Sequence, residues 1–147
     1  QLVEREFMRP VVICSSQKFK DEVRVFTQNL EKLGVPLVIQ PDFKRHSNKM
    51  IRKPEHRRLK VSSYKTRVPG MVFKHFRNID MVARMGGVCF VYNPGGYVGF
   101  NTTLEVGRAD GLRMPIFALE PHDYELAFNI LINHYVQKPE DLLRWLK

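Results

Sequence analysis

With 147 residues, 44% of them hydrophobic and 27% charged, the chain has the size and balance of one globular domain, which excludes a fibrous or wholly disordered protein. The formal net charge of +9 is concentrated: between Lys44 and Arg67 ten Lys or Arg stand against Glu55 alone, so the remainder sums to zero. No apolar run approaches the roughly 20 residues of a membrane span, the opening Gln1 to Phe7 lacks the apolar centre of a secretory signal, and Cys14 and Cys89 lie in strand-like runs as buried reduced thiols do, so a cytoplasmic protein with no membrane partner is expected.

In chain order, Arg9-Pro10-Val11-Val12-Ile13-Cys14 reads as a buried strand of a parallel sheet, with Pro10 at its start where a missing N–H costs least. Ser15-Ser16 ends it. From Gln17 the apolar period lengthens through Phe19, Val23, Phe26, Leu30 and Leu33, one face of a helix that stops at Gly34. Val35 to Ile39 is a second strand, leaving at Gln40-Pro41-Asp42. Residues 43 to 69 are crowded with like charges and hold no period, which predicts an irregular, partly mobile insertion. A helical pattern resumes from Gly70 to Met85, and Val88 to Tyr92 is the clearest central strand. Thr102 to Leu112 reads as a helix, Pro115 to Leu119 as a strand, and Tyr124 to Tyr135 and Pro139 to Leu146 as closing helices, with Pro139 in the favoured first-turn place. Strands alternating with helices predict a single α/β domain over 1–147: three α/β/α layers around a mostly parallel, flavodoxin- or Rossmann-like sheet.

Ligands of such sheets bind beyond the carboxyl ends of the strands. The loops expected there are Ser15 to Lys18, Asp42 onward, Asn93 to Asn101 and Glu120 to Asp123. Among them, Asn93-Pro94-Gly95-Gly96-Tyr97-Val98-Gly99-Phe100-Asn101 stands out. Its glycines let backbone approach a ligand, and the helix start at Thr102 or Thr103 offers free N–H groups to an anion. A plain strand-to-helix connection capped by Asn101 or Thr102 accounts for the same residues. Glu105 either meets a sugar held by the loop or closes a capping box with Thr102. Ser15 and Ser16 either bond a ligand or cap the helix from Gln17, and Tyr97 either supplies a phenol or packs over the glycines. His75, between Phe73 and Phe76, is a packed helix residue more readily than a catalyst. His46, His56, His75, His122 and His134 show no close ligand spacing, so no metal site is expected. No Walker loop, nucleophile elbow or dinucleotide fingerprint is present, and no cofactor is expected.

The run Asn93-Pro94-Gly95-Gly96-Tyr97-Val98-Gly99, the two threonines, Glu105, Gly107, Ala109, Gly111 and Pro115-Ile116 resemble the signature of the nucleoside 2-deoxyribosyltransferase-like family of small nucleoside and nucleotide N-glycosidase-related proteins. Cys14 to Phe19 resembles that family's first loop, and His75 to Asp80 the segment before its third strand. The resemblance implies an N-glycosidase or deoxyribosyltransferase in which Glu105 attacks the anomeric carbon of a nucleoside or nucleotide. Asp80 or Asp42 would assist the departing base, while Ser15, Ser16, Gln17, Asn93, Gly95, Gly96, Tyr97, Gly99, Asn101, Thr102 and Thr103 would hold the substrate. It also implies a homo-oligomer. Asn93 to Tyr97 stands where the active transferases carry an acidic pair, and Ser15-Ser16-Gln17 replaces a sugar-holding aromatic.

The basic segment is first a solvated loop, next a phosphate-binding lid using Arg52, Lys53, Arg57 and Arg58, and third a nucleic-acid contact. Two rivals to the enzyme therefore stand beside it: a non-catalytic nucleotide-binding sensor or adaptor of the same fold, and a nucleic-acid-associated interaction domain.

Overall fold

A computed structural model describes residues 7–43 and 72–147; the basic insertion, with Arg52, Lys53, Arg57 and Arg58, lies outside them. The described elements run β1 (Val11–Cys14), a 3-10 turn (Gln17–Phe19), α1 (Lys20–Lys32) and β2 (Val38–Ile39). Then come α2 (72–84), β3 (Val88–Val91) and a short 3-10 turn (Pro94–Gly96). The chain closes with α3 (Phe100–Gly111), β4 (Ile116–Ala118), α4 (Leu126–Leu131), β5 (His134–Tyr135) and α5 (Pro139–Leu142). All strand pairs are parallel, and the order is β2-β1-β3-β4-β5. This is the expected α/β fold with the flavodoxin-like strand order.

Alternation along the strands builds the three layers. Val11, Ile13, Val88, Phe90 and Phe117 face one way, into a core with Val23, Phe26 and Leu30 of α1 and with Leu142 and Leu146 of the C-terminal turn. Val12, Cys14, Cys89, Val91, Ile116 and Ala118 face the other way, onto Ile79 and Val82 of α2, Val106 and Ala109 of α3, and Phe128 and Ile132 beside α4. Every residue of β1 and β3 is buried, as a central strand covered on both faces requires.

Several elements differ from the pattern in the sequence, and the closing helix read as Pro139 to Leu146 is α-helical only to Leu142, with a 3-10 turn at Leu143–Trp145 after it. The second strand is only Val38–Ile39, because Pro36 has no N–H to give and pairing begins where the Val11 N–H donates to the Leu37 carbonyl at 2.9 Å. The stretch Tyr124 to Tyr135 is a short helix and then an edge strand. Its backbone turns extended at Ile132, and Asn133 holds β4 twice: its N–H donates to the Ile116 carbonyl at 2.7 Å, and its Oδ1 accepts from the Ile116 N–H at 2.8 Å. Finally, α3 begins two residues early, at Phe100, with Gly99 as its cap.

Candidate active site

The sheet order reverses between β1 and β3, and the two loops leaving that point go to opposite layers, which opens a crevice beyond the strand ends. On one side, the Ser15 hydroxyl donates to the Tyr92 carbonyl at 2.8 Å, tying the β1 exit to the β3 exit. Of its two readings Ser16 takes the cap: its hydroxyl accepts from the Lys18 N–H at 3.3 Å at the start of the Gln17–Phe19 turn. The Tyr97 ring meets the Phe19 ring edge-on at 6.0 Å, and the Lys18 ammonium lies 4.7 Å from its centroid. The two loops are thus in contact, with the Tyr97 phenol about half exposed at the mouth.

The glycine loop is held from β4. Buried Asn93 donates from Nδ2 to the Glu120 carbonyl at 2.8 Å, and its Oδ1 accepts from the N–H groups of Leu119 at 3.0 Å and Glu120 at 3.2 Å. Its amide is therefore a latch between strand ends. The Glu120 carboxylate in turn accepts from the Gly95 N–H. Gly96 has φ +78, and a Cβ there would stand 2.4 Å from the Pro121 carbonyl oxygen, so the turn needs glycine for conformation and for space. Gly99 caps α3 without a side chain, leaving the first-turn N–H groups without a side-chain partner, while the Thr103 hydroxyl donates to the Gly99 carbonyl at 2.9 Å. Asn101 is exposed and Thr102 is buried. Because α3 starts at Phe100, Thr102 lies inside the helix and its capping box with Glu105 does not form.

Glu105 sits on the inner face of α3, only 7% exposed, and its Oε2 is buried without a hydrogen-bond partner among the described residues. It faces the end of β1. The Cys14 thiol hydrogen-bonds the carboxyl, and Cys14 Sγ, a His75 ring nitrogen and a Glu105 oxygen all lie within 4.8 Å of one another. His75 comes from α2, where His75, Ile79 and Val82 form the buried stripe. Its Nε2 donates to the Ile13 carbonyl at 2.9 Å and stands 3.8 Å from Cys14 Sγ, while the Asn78 amide approaches Nδ1 at 3.4 Å. The proton committed to Ile13 leaves Nε2 no lone pair for a cation. Protons and hydrogen bonds hold this cluster together.

Burial sets its titration. Desolvation lifts Glu105 from an ordinary 4.5 to about 8, against the opposing hydrogen bond from Cys14. Desolvation lowers His75 from 6.5 to about 4, with the Ile13 bond opposing. The hydrogen bond with Cys89 at 3.7 Å, and then burial, push the Cys14 thiol up. Cys89 is paired with Val12 while Cys14 is paired with Val91. This two-residue offset on adjacent strands sets the Cα atoms roughly 8 Å apart, beyond the reach of a disulfide, and both cysteines are free.

The two other carboxylates named from the sequence are engaged elsewhere. Asp80 makes a bidentate pair with Arg108, both contacts at 2.8 Å, which joins α2 to α3 and holds the carboxyl below its ordinary value. Asp42 stands 3.4 Å from the Lys74 ammonium. Sequence reading missed the company Glu105 keeps. The signal available was the spacing of His75 with Ile79 and Val82, the same stripe that reaches the sheet. No family model matches the chain, and no curated protein matches it.

Two predictions follow from this geometry. Gly95 also has positive φ, +67, but open space around a Cβ. Gly95→Ala is therefore expected to cost about 1 kcal/mol of conformational strain, and Gly96→Ala about 2–4 kcal/mol because backbone must also move; urea unfolding of the two variants reads the difference. The second concerns pH. Glu105, raised on folding, contributes stability that is fully present below 4.5 and lost as pH rises through about 8. His75, lowered on folding, contributes stability that is fully present above 6.5 and lost as pH falls through about 4. In the wild type the two slopes cancel between 4.5 and 6.5, and stability falls from 6.5 to 8. Glu105→Gln removes only the falling slope, so the variant gains on the wild type by about 1.4 kcal/mol per pH unit from pH 4.5 to about 8. Parallel curves in denaturant titrations at pH 5, 6, 7 and 8 would refute the assignment.

Proposed function

We propose that the chain acts at the N-glycosidic bond of a nucleoside or nucleotide, as an N-glycosidase or a 2-deoxyribosyltransferase-like enzyme, with Glu105 as the nucleophile. The observation that carries this reading is the buried, unpartnered Oε2 of Glu105 at the crevice end of the sheet. A polar oxygen kept from water without a partner is costly to the fold. Bond formation with a substrate atom gives such an oxygen a use.

In the reaction, the ionised Glu105 oxygen forms a bond to the anomeric carbon as the carbon–nitrogen bond breaks, and the electron pair of that bond leaves with the base, which takes up a proton from water. The positive charge that develops on the sugar is what a nearby carboxylate stabilises. Water or a second base then attacks the same carbon and releases Glu105. Asp80, held ionised by Arg108, suits accepting a hydrogen bond from the base rather than delivering its proton, and Asp42 is the alternative partner. Tyr97, Ser16 and Gln17 from one loop and Gly95, Gly96, Gly99, Asn101 and Thr103 from the other supply contacts for sugar and phosphate. Ser15, Asn93 and Thr102 support those loops from buried positions.

A second reading, a nucleotide-binding sensor or adaptor of the same fold, draws on the same carboxyl. With Glu105 held up to about 8, most chains carry it neutral at pH 7, which suits binding better than attack. The basic segment's role toward phosphate or nucleic acid belongs to residues outside the described ones.

Chromatographic detection of free base across nucleosides and nucleoside monophosphates separates the readings. For the enzyme, kcat/KM should rise about tenfold per pH unit below 8 and level off above it, as the carboxylate fraction grows, and Glu105→Gln should abolish turnover while keeping the fold. Equal turnover by the Gln variant rejects Glu105 as nucleophile; nucleotide binding with no base released by the wild type at any pH favours the sensor.

Phosphate recognition has its own test. The uncapped start of α3 and the basic segment both favour an anion, so a monophosphate should bind more tightly than its nucleoside at low salt. Near 1 M salt, where the Debye length is about 3 Å, most of that preference should be lost. Calorimetric titration of both ligands at two salt concentrations reads it, and equal affinities at low salt would remove phosphate from the proposal.

A further inference from the structure

The sheet face turned toward α2 and α3 is hydrocarbon except for two thiols. Val12, Val91, Ile116 and Ala118 pack there with Cys14 and Cys89, so the cysteines bring the only polar side-chain hydrogens that β1, β3 and β4 offer to that layer. Cys14 is the last residue of β1 and is fully buried. It stands where the strand gives way to the crevice, and its Sγ lies within 4.8 Å of a Glu105 oxygen and of a His75 ring nitrogen. Little else in this corner titrates. Both β4 and α4, which also pack on α3, carry no titratable side chain. From α2 the buried stripe brings only His75, and Asp80 on its flank is already paired with Arg108.

The number of protons available assigns the donors. The His75 Nε2 proton is committed to the Ile13 carbonyl at 2.9 Å and meets Cys14 Sγ only as a longer second contact at 3.8 Å. Cys14 and Cys89 are 3.7 Å apart at Sγ, and each thiol has one proton to give. Since the Cys14 proton goes to the Glu105 carboxyl, Cys89 is the thiol that donates to Cys14. The Cys14 sulfur thus accepts from Cys89 and faces the His75 N–H, and both contacts polarise its own S–H and strengthen it as a donor. Of the two carboxyl oxygens, Oε2 has no partner among the described residues. The bond from the thiol therefore falls on Oε1.

We propose that Cys14 is a positioning residue for Glu105: its thiol holds one carboxyl oxygen and leaves Oε2 as the attacking atom. The kinetic consequence rests on the glycosidic reading; the bond itself does not. A hydrogen bond to a carboxylate is stronger than one to the neutral acid, so the thiol favours the ionised form against the burial that opposes it. A hydrocarbon at position 14, like Val12 two residues earlier on the same face, would leave that burial unopposed.

Carbon-13 NMR of the Glu105 carboxyl, assigned by the signal that Glu105→Gln removes, follows its titration whether or not the chain is an enzyme. Cys14→Ala should move the midpoint up from about 8 by roughly half to one pH unit, the effect of losing one weak hydrogen bond to a charge. Cys14→Ser, which places a stronger O–H donor there, should return it to the wild-type value or below. With base release as the readout, kcat/KM of Cys14→Ala should fall about three- to tenfold at pH 7, and the loss should shrink as pH rises past the midpoint. A purely structural change would slow both variants alike at every pH. The unmutated chain offers a further test that needs no change at position 14. Its infrared S–H stretching band should move to lower wavenumber as Glu105 ionises near pH 8 and should stay fixed in Glu105→Gln. A Glu105 midpoint that Cys14→Ala leaves in place overturns the proposal. So does a Cys14→Ser midpoint no lower than that of Cys14→Ala, or an S–H band that ignores the ionisation of Glu105. If the wild type releases no base at any pH, the glycosidic reading falls, and the carboxyl midpoints still decide whether Cys14 holds Glu105.

Discussion

The parallel pairing of β1 with β3, from Val11 against Val88 to Cys14 against Val91, is the constraint on which the other features depend. Both strands are buried along their whole length, so each loop leaving them must exit at the same edge. Because β2 and β4 lie on opposite sides of the pair, the chain leaves β1 toward one layer and β3 toward the other. Ser15 and Asn93 carry the ladder past its last backbone bonds, those from the Tyr92 N–H to the Cys14 carbonyl and from the Leu119 N–H to the Val91 carbonyl, each using its side chain to tie the strand exits together. A crevice with fixed walls is the consequence, and Glu105 approaches it from the helix that β3 feeds.

At that edge the fold tolerates polar groups by keeping them uncharged. Glu105 retains its proton and His75 gives one up, so two ionisable groups enter the core carrying no net charge. The exchange conserves proton number relative to an unfolded chain near pH 5 to 6, where the carboxylate is ionised and the imidazole protonated. Folding in that range therefore transfers a proton between sites rather than taking one from solvent. The imidazole is well fixed for this state, with one nitrogen donating to Ile13 and the other facing the Asn78 amide. The carboxyl is less well fixed, since one oxygen has no partner. That asymmetry makes Glu105 the group in the cluster most open to a new interaction.

How much of this was legible in the sequence follows from the range over which each signal acts. The strands of continuous apolar residues, α1 with its period through Val23, Phe26 and Leu30, and Pro139 at the start of α5 were readable because local pattern and tertiary burial agree. β5 was not. His134 and Tyr135 are exposed, and what makes them a strand is Asn133 bonding to Ile116 seventeen residues earlier. The site was legible as a location and only partly as a set of residues. Glu105 and the glycine loop stand in one contiguous stretch, whereas Cys14 and His75 join them only through the sheet. Asn93, which reads as a ligand contact from its place in the loop, has its amide occupied by the backbone of Leu119 and Glu120.

These demands converge on α3. Its inner face must pack Val106 and Ala109 against the sheet while presenting Glu105 to the cluster, and its first turn must remain uncapped for the loop to deliver it. Neither demand explains Gly107 and Gly111, because both glycines point away from the core and meet nothing there. Helix propensity alone would favour alanine at both places. Arg108, between them, already ties α3 to α2 through Asp80, so the helix is held on its flank as well as beneath. What the glycines leave open is the outer side of the helix, where Phe100 and Leu104 stand exposed on the same stripe.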